Sequence, residues 1–478
     1  MSKVYICTAI PYVNGNPHIG HAMDYLLADT FARYRRLCGD EVRLQVGTDE
    51  HGNKVYSTAQ KNGLPVGQYV QENSDKFRKF IDTLAISYTD FVRTTDPEHV
   101  RACREIWRKL TPHIYSAEYD GWYCEGCERF VTEKECSENH GTCPDHQKPY
   151  QRLSEKNYYL RISDFKEQIQ SAIETDQVKI TPAFRKQEIL KLLEDAPDIS
   201  ISRPRKQLSW GVPVPGDKDQ VMYVWIDALS NYISVLGYPD GQDWQEWWPA
   251  TAQFVGKDIL RFHAITWLAI LLGLGLDLPK NLVVHGHVLS NGQKMSKSIG
   301  NVIDPMEVLN RKGLPAFRYF FLRHIDTFDD SDFTDEKFIN AYNNELANDL
   351  GNLVQRLATL CKKNQVSGVE GDKGVETKPA LSAEFCELMD KFEFNRALDY
   401  VWSKIQALNK QIDESKPWEL AKNGETERAA SVLQALERGI IEVAQYLQIF
   451  LPETAAKITE IFTKTEILPP KEPLFPKN

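Results

Sequence analysis

Two short runs hold the residue types best suited to handling a phosphate chain. The first is Pro17-His18-Ile19-Gly20-His21. It follows the β-rich segment Val4-Tyr5-Ile6-Cys7 and precedes an apolar ridge at helical spacing, Leu27, Phe31 and Tyr34. A helix that starts there presents unpaired N–H groups and the positive end of its dipole to an anion. The two imidazoles straddle Gly20, which lets another group approach the backbone closely. The same letters would also suit two exposed histidines on a plain loop. The second run is Lys294-Met295-Ser296-Lys297-Ser298. Two lysines on a loop of small residues can neutralise a triphosphate as it is cleaved. A solvated basic turn has the same composition.

A third cluster points to metal. Cys124-Glu125-Gly126-Cys127 and Cys143-Pro144-Asp145-His146 are two closely spaced pairs of soft ligands. Such pairs make a tetrahedral zinc knuckle, one ion per chain, held by Cys124, Cys127, Cys143 and His146. Four protein ligands leave no open position, so the zinc is expected to be structural. Cys136 and His140 lie between the pairs as spare donors. Four of the nine cysteines fall in this stretch, which argues for thiols and metal rather than disulfides. Elsewhere, Gly256-Lys257-Asp258 follows a strand-like segment, where Asp258 can hold a ribose hydroxyl. Asp24, one turn after the histidines, either does the same or complements the helix dipole.

The elements that must position these groups read as α/β and then all-α. With 478 residues the chain should divide into two to four units. Residues 42–46 form a second strand after the first helix, the opening of a doubly wound parallel sheet with ligands beyond its strand ends. A helical stretch is expected over 66–116 and a Cys- and Gly-rich insert over 121–150. The α/β pattern returns with strands at Met222-Tyr223-Val224-Trp225, Phe254-Val255-Gly256 and Leu282-Val283-Val284. Amphipathic helices are expected over 341–361, 384–412 and 427–450. The linker 363–378 should be exposed, and 467–478 should have little to pack. A net charge of −10 argues against a nonspecific nucleic-acid coat but leaves room for a local basic face. The longest apolar stretch, 265–276, is too short to cross a membrane, and the N-terminus begins a strand, so the chain reads as cytosolic.

Taken together, the first two runs resemble the His-Ile-Gly-His and Lys-Met-Ser-Lys-Ser signatures of the class I aminoacyl-tRNA synthetases. They match letter for letter, in order and in structural place, and the resemblance covers nearly the whole chain. Ala9-Ile10-Pro11-Tyr12-Val13-Asn14-Gly15, Gly47-Thr48-Asp49-Glu50-His51-Gly52 and Tyr223-Val224-Trp225-Ile226-Asp227-Ala228 look like the methionine-specific branch. The resemblance implies activation of methionine with ATP and Mg2+, then transfer to tRNA(Met). It implies that His18, Gly20, His21, Asp24, Gly256, Asp258, Lys294, Ser296 and Lys297 meet ATP, with His18, His21, Lys294 and Lys297 catalytic. It places the methionine pocket at Ile10, Tyr12, Asp49, Trp225, Ala228, Leu229, Tyr232, Ile259 and His263, with Asp49 on the ammonium group. A thioether suits such aromatic walls, although Trp225 and Tyr232 would equally suit a core.

The resemblance also implies an architecture. Residues 1–115 and 216–293 become the halves of a Rossmann-type catalytic domain. Residues 116–215 become the connective insert with its zinc knuckle, and 294–334 the lysine loop and stem-contact region. Residues 335–466 become a helical anticodon-binding bundle, with 467–478 as a tail. Asn352 and Arg356, one helical turn apart, and Pro417 and Trp418 match anticodon-reading positions, where stacking on an unpaired base suits Trp. Packing at a helix start would also explain Trp418. A sister enzyme for valine, isoleucine or leucine would carry an editing domain of about 200 residues, for which the interval from His21 to Lys294 has no room. A non-catalytic RNA-binding paralogue would be free to lose the histidines and lysines, and a simple nucleotidyltransferase would not need the bundle. A monomer is expected.

Overall fold

The computed structural model describes residues 2–124, 129–144, 147–295, 301–368 and 381–477. In chain order the molecule opens with β1 (Lys3–Thr8), α1 (His21–Leu37), β2 (Glu41–Thr48), α2 (Val66–Thr83), β3 (Asp90–Arg93) and α3 (Pro97–Leu110). The insert contributes β4 (Ile114–Cys124), β5 (Arg129–Val131) and β6 (Gln151–Leu160), and then β7 (Lys179–Thr181) and β8 (Ile199–Ser200) follow. Next come α4 (Val224–Leu229), α5 (Asn231–Ser234), β9 (Ala252–Gly256), a π-helical turn (Phe262–Trp267), α6 (Leu268–Leu274) and β10 (Asn281–His285). After α7 (Pro305–Arg323) the chain is helical: α8 (Asp335–Ala341), a π-helical stretch (Tyr342–Gly351), α9 (Asn352–Lys363), α10 (Ala383–Asp390) and α11 (Phe394–Ser415). The bundle closes with α12 (Pro417–Lys422), α13 (Thr426–Phe450) and α14 (Pro452–Phe462).

Six strands make one parallel sheet in the order β3-β2-β1-β9-β10-β7. In β1 only the first residue is exposed, so the strand is covered on both faces, as a central parallel strand must be. The chain runs outward from β1 through β2 to β3, then outward on the other side from β9 to β10. The switch point therefore falls between β1 and β9, whose register pairs Ile6 with Ala252, Cys7 with Gln253 and Thr8 with Phe254. A crevice beyond the C-terminal ends of these two strands follows from that topology. The insert is a separate antiparallel sheet, β5-β4-β6-β8.

One face of the parallel sheet buries Tyr25, Phe31 and Phe254 against α7 and the bundle, where Trp402, Leu433 and Leu447 continue the same core. The other face buries Tyr5, Trp107, Tyr232 and Trp267. The helical bundle and the parallel-sheet part are further joined through Arg318 on α7, which is 1% exposed. Its guanidinium pairs with Asp29 of α1 (Nη2 to Oδ2, 2.7 Å) and donates from Nε to the Phe450 carbonyl at the end of α13 (2.7 Å). Burial lowers the Arg318 pKa against the pull of Asp29, and the flanking arginines hold the Asp29 carboxyl below its usual range despite burial.

The fold departs from the sequence reading in specific places. Residues 66–116 are two helices with β3 between them, a four-residue edge strand too short to show a period. Met222-Tyr223-Val224-Trp225 is not a strand of the parallel sheet. Gln220–Met222 pairs antiparallel with Ser202–Pro204, and a helix begins at Val224. Lys179–Thr181 joins the central sheet beside β10, although these residues fall within the stretch read as insert. The helix expected over 384–412 is two, broken at Phe392, whose φ is 60°. The tail packs: Phe475 is buried against Tyr342, and the Tyr342 hydroxyl donates to the Pro476 carbonyl (2.9 Å). The linker 363–378 is described only to residue 368.

Candidate active site

Helix α1 begins at the crevice, with Gly20 as its N-cap. The His18 and His21 rings stack there, centroids 3.7 Å apart, and the His18 N–H donates to His21 Nδ1 (3.0 Å). A neutral His21 therefore carries its proton on Nε2. Gly20 sits close under a ring: a Cβ there would lie 3.1 Å from both Cε1 and Nδ1 of His18, so any larger residue would push that imidazole aside. The Ile19 N–H donates to the Ile303 carbonyl (3.3 Å), tying this turn to the chain just past the lysine run. The first amides of α1 are taken up by the turn before it, the His21 N–H donating to the His18 carbonyl (3.0 Å) and the Ala22 N–H to that of Ile19 (3.1 Å), so the helix dipole and the two imidazoles are what face one space suited to phosphate oxygens.

That space is a cavity of about 330 Å³. His18, Gly20, His21, Asp24, Gly256 and Asp258 line it, and so do Ile10, Tyr12, Asp49, Trp225, Ala228, Leu229, Tyr232, Ile259 and His263. Two residue sets that the sequence reading assigned to different ligands therefore share one chamber. Of the lysine run, Met295 lines the cavity, whereas the Lys294 side chain, Ser296 and Lys297 lie outside the described residues.

Asp49 follows the end of β2 and is 3% exposed. Its backbone is pinned to the loop after β1, the Asp49 N–H donating to the Pro11 carbonyl (2.9 Å) and the Val13 N–H to the Asp49 carbonyl (3.1 Å). A fixed, buried carboxylate is what an α-ammonium group needs. Across the cavity, α4 carries Trp225, whose indole stacks on Phe262 with centroids 3.8 Å apart. On the floor, His263 Nδ1–H donates to the Ile259 carbonyl (2.9 Å), and the Tyr232 hydroxyl donates to His263 Nε2 (2.7 Å). Burial pushes the His263 pKa down to about 4, so this floor is neutral near pH 7 and its polar atoms are paired. Tyr232 is 1% exposed and reaches the cavity, so it serves as core and wall at once.

The sequence reading missed His285, Gly286 and His287, which also line the cavity. Their signal was present, since they end strand β10 at the switch-point side of the sheet. The His285 Nε2–H donates to Asp24 Oδ1 (2.8 Å). Burial alone would lower the His285 pKa, but Asp24 and the Gly286 carbonyl raise it above its usual value. Asp24 thus faces a histidine rather than merely capping a helix. His287 Nε2 lies 3.4 Å from Asp258 Oδ1, which places both ribose candidates beside this turn.

Away from the cavity, Cys124 and Cys143 are buried in one small core with Cys136, Val131 and Tyr150. The Gln147 N–H donates to the Cys143 carbonyl (2.9 Å). Cys127 and His146 lie outside the described residues. In the bundle, Arg356 sits 5.0 Å over the Trp418 ring and pairs with Asp413 (2.7 Å). Trp418 is 37% exposed, Asn352 is exposed and Pro417 is buried at the start of α12. The four residues implied as anticodon contacts thus lie on two helices, with Arg356 and Trp418 in direct contact. No helix among the described residues is long and apolar enough to cross a membrane.

Comparison with known proteins gives consistent matches. Residues 4–155 and 146–358 match the family described as tRNA synthetases class I (M). A methionine–tRNA ligase of Thermotoga maritima is 38% identical, covering 95% of this chain and 74% of that protein. One of Brucella suis biovar 1 is 37% identical, covering 96% and 91%. The solved structure of Mycobacterium tuberculosis methionyl-tRNA synthetase in complex with methionyl-adenylate superposes with a TM-score of 0.93 at 34% identity, over all of both chains. Its apo form gives 0.85 at 30% identity, over 100% of this chain and 98% of that one.

Proposed function

The chain belongs to the methionine branch of the class I tRNA synthetases, and on that premise we propose how its own residues carry out that chemistry. It activates methionine with ATP to methionyl-adenylate and transfers the methionyl group to tRNA(Met). The observation that carries the residue assignment is the single chamber. A histidine pair at a helix N-terminus and an apolar pocket with a buried carboxylate open into the same 330 Å³.

The methionine ammonium binds Asp49, and its thioether lies among Trp225, Tyr232 and the neutral His263, with Ile10, Tyr12, Ala228, Leu229 and Ile259 completing the walls. A neutral imidazole keeps a buried charge away from the apolar side chain. His18 and His21 donate ring N–H groups to phosphate oxygens at the positive end of the α1 dipole. Asp258 and Asp24 face the ribose, with His285 holding Asp24. The methionine carboxylate then attacks the α-phosphorus, and the bond to the bridging oxygen breaks to release pyrophosphate. Lys294 and Lys297 neutralise the triphosphate as it is cleaved, Lys297 by stabilising the pentavalent transition state at the α-phosphorus. In the second step, a 3′-terminal ribose hydroxyl of the tRNA attacks the carbonyl of the anhydride and AMP leaves. Mg2+ accompanies ATP and shields its phosphate charge.

Cys124, Cys127, Cys143 and His146 would hold one zinc, which orders the insert and takes no part in the reaction. The burial of Cys124 and Cys143 in one core fits that donor set. Asn352, Arg356, Pro417 and Trp418 would meet the anticodon, and the protein would act as a cytoplasmic monomer. The test is amino-acid-dependent ATP–pyrophosphate exchange without tRNA, run with each of the twenty amino acids. Methionine should dominate. Equal or faster exchange with leucine, valine or isoleucine would assign the pocket to a sister enzyme, and no exchange at all would leave an RNA-binding paralogue.

A further inference from the structure

Behind the methionine wall lies a buried ionic network that does not touch the cavity. Its centre is Asp227, fully buried on α4 between Trp225 and Ala228. The His51 Nδ1–H donates to Asp227 Oδ2 (2.7 Å), and the His99 Nε2–H donates to Oδ1 (2.8 Å). His99 lies on α3 and is 1% exposed, and its Nδ1 meets Ser234 Oγ on α5 (2.8 Å). Burial would raise the Asp227 pKa, but the two histidines hold it well below the carboxylate range. Asp227 is therefore an anion deep in the protein, kept there by imidazole donors.

Each arm of the network ends at part of the methionine pocket. His51 is two residues past Asp49, and its N–H reaches back to Asp49 Oδ1 (3.4 Å). Asp227 shares its short helix with Trp225, Ala228 and Leu229. Ser234 shares α5 with Tyr232. The ammonium anchor, the aromatic wall and the floor come from three separate segments, and one carboxylate with its two imidazoles joins all three. The ATP side of the cavity has no member of this network.

His99, Cys103 and Asp227 are also close enough to suggest a metal. Their spacing argues otherwise. His99 Nε2 lies 2.8 Å from Asp227 Oδ1 and 3.2 Å from Cys103 Sγ. Tetrahedral zinc with bonds of about 2.0–2.3 Å would hold such donors about 3.3–3.6 Å apart. The separations are those of hydrogen bonds, and the second Asp227 oxygen is already committed to His51.

We propose that His99, acting through Asp227, is a positioning residue for methionine: it fixes the distance between the Asp49 carboxylate and the Trp225 wall. The inference rests on the methionine pocket assigned above. The two ring nitrogens can be mimicked separately. His99→Gln places an amide donor where Nε2 stands and keeps the bond to Asp227, whereas His99→Asn reaches only the Ser234 side. The experiment is pyrophosphate exchange with active sites counted by the adenylate burst. His99→Asn should raise the KM for methionine about tenfold, the scale of one hydrogen bond to a charged group. The KM for ATP should stay within about twofold, and His99→Gln should stay near wild type. Ser234→Ala, which removes no charged group, should shift the methionine KM the same way by about threefold and covers the case in which His99→Asn does not fold. Equal effects on methionine and ATP, or an unchanged methionine KM in the folded variants, would overturn the proposal. Loss of a bound metal on His99→Asn would overturn it as well. Absence of methionine-dependent exchange in the wild type would instead defeat the pocket assignment itself.

Discussion

His263 makes stability depend on pH in a window fixed by its burial. The imidazole is 2% exposed, and its pKa falls from an ordinary 6.5 to about 4 in the folded chain. Between those values the unfolded chain binds a proton that the folded chain refuses, so stability rises with pH there and falls as pH drops. Each pH unit corresponds to about 1.4 kcal/mol, and the whole window from 6.5 to 4 to roughly 3 kcal/mol. His263→Gln keeps a partner for the Tyr232 hydroxyl but cannot titrate. Urea denaturation of wild type and variant at pH 4.5, 5.5, 6.5 and 7.5 isolates the histidine from other acid-sensitive groups. The stability difference should turn against the wild type by about 1.4 kcal/mol per unit below pH 6.5 and stay flat above about pH 7. The wild-type KM for methionine should climb below about pH 5, as charge enters the pocket floor, and the variant should not share that rise. A stability difference independent of pH between 4.5 and 6.5 would show that the folded imidazole accepts its proton freely, and the neutral-floor argument would fail.

Other outcomes follow from the rest of the molecule. Trp418→Ala should leave adenylate formation unchanged but weaken tRNA charging by about 1–3 kcal/mol, read as a raised KM for tRNA; lowered thermal stability with normal tRNA KM would mean that Trp418 only packs. Cys143→Ser should remove the single equivalent of zinc, checked by metal analysis of purified protein, and full zinc content in that variant would refute the ligand set. Arg318→Met should cost about 3 kcal/mol in urea denaturation, because the buried Asp29 then keeps only Arg33 as a charged partner, and adding Asp29→Asn should recover part of it. A double variant as unstable as the sum of the two single ones would show that the pair is not coupled.

The parts of this protein that were legible in its sequence are those whose signal is local. The histidine turn, the helix after it and the strands β1 and β9 each carry their own pattern, and the cavity gathers the pocket residues that family position implied. What escaped depends on distant partners. β3 and β7 are three or four residues long and exist only because a neighbouring strand offers its edge. Met222-Tyr223-Val224-Trp225 has strand composition, yet only Met222 lies in a strand, and from Val224 the chain turns helical with Val224, Ile226 and Leu229 buried. Phe475 finds its place against Tyr342, more than a hundred residues earlier, which no window reading detects. The Asp227 network draws on four separate segments, so no spacing in the sequence announces it.

The pairing of β1 with β9 has a consequence for how the protein is made. During synthesis, about 250 residues must follow β1 before its partner strand emerges, a delay of roughly 10–50 s at about 5–20 residues per second. Throughout that interval the inner edge of β1 offers unpaired N–H and C=O groups, the kind of edge that invites wrong strand partners. The contact is also of very long range, which slows its closure after the strand appears. The nascent chain can thus hold its histidine turn and first helix early, but the cavity has no second wall until Ala252–Gly256 slots in beside Ile6, Cys7 and Thr8. Catalytic competence arrives as one late event, and the cell must protect an open sheet edge until then.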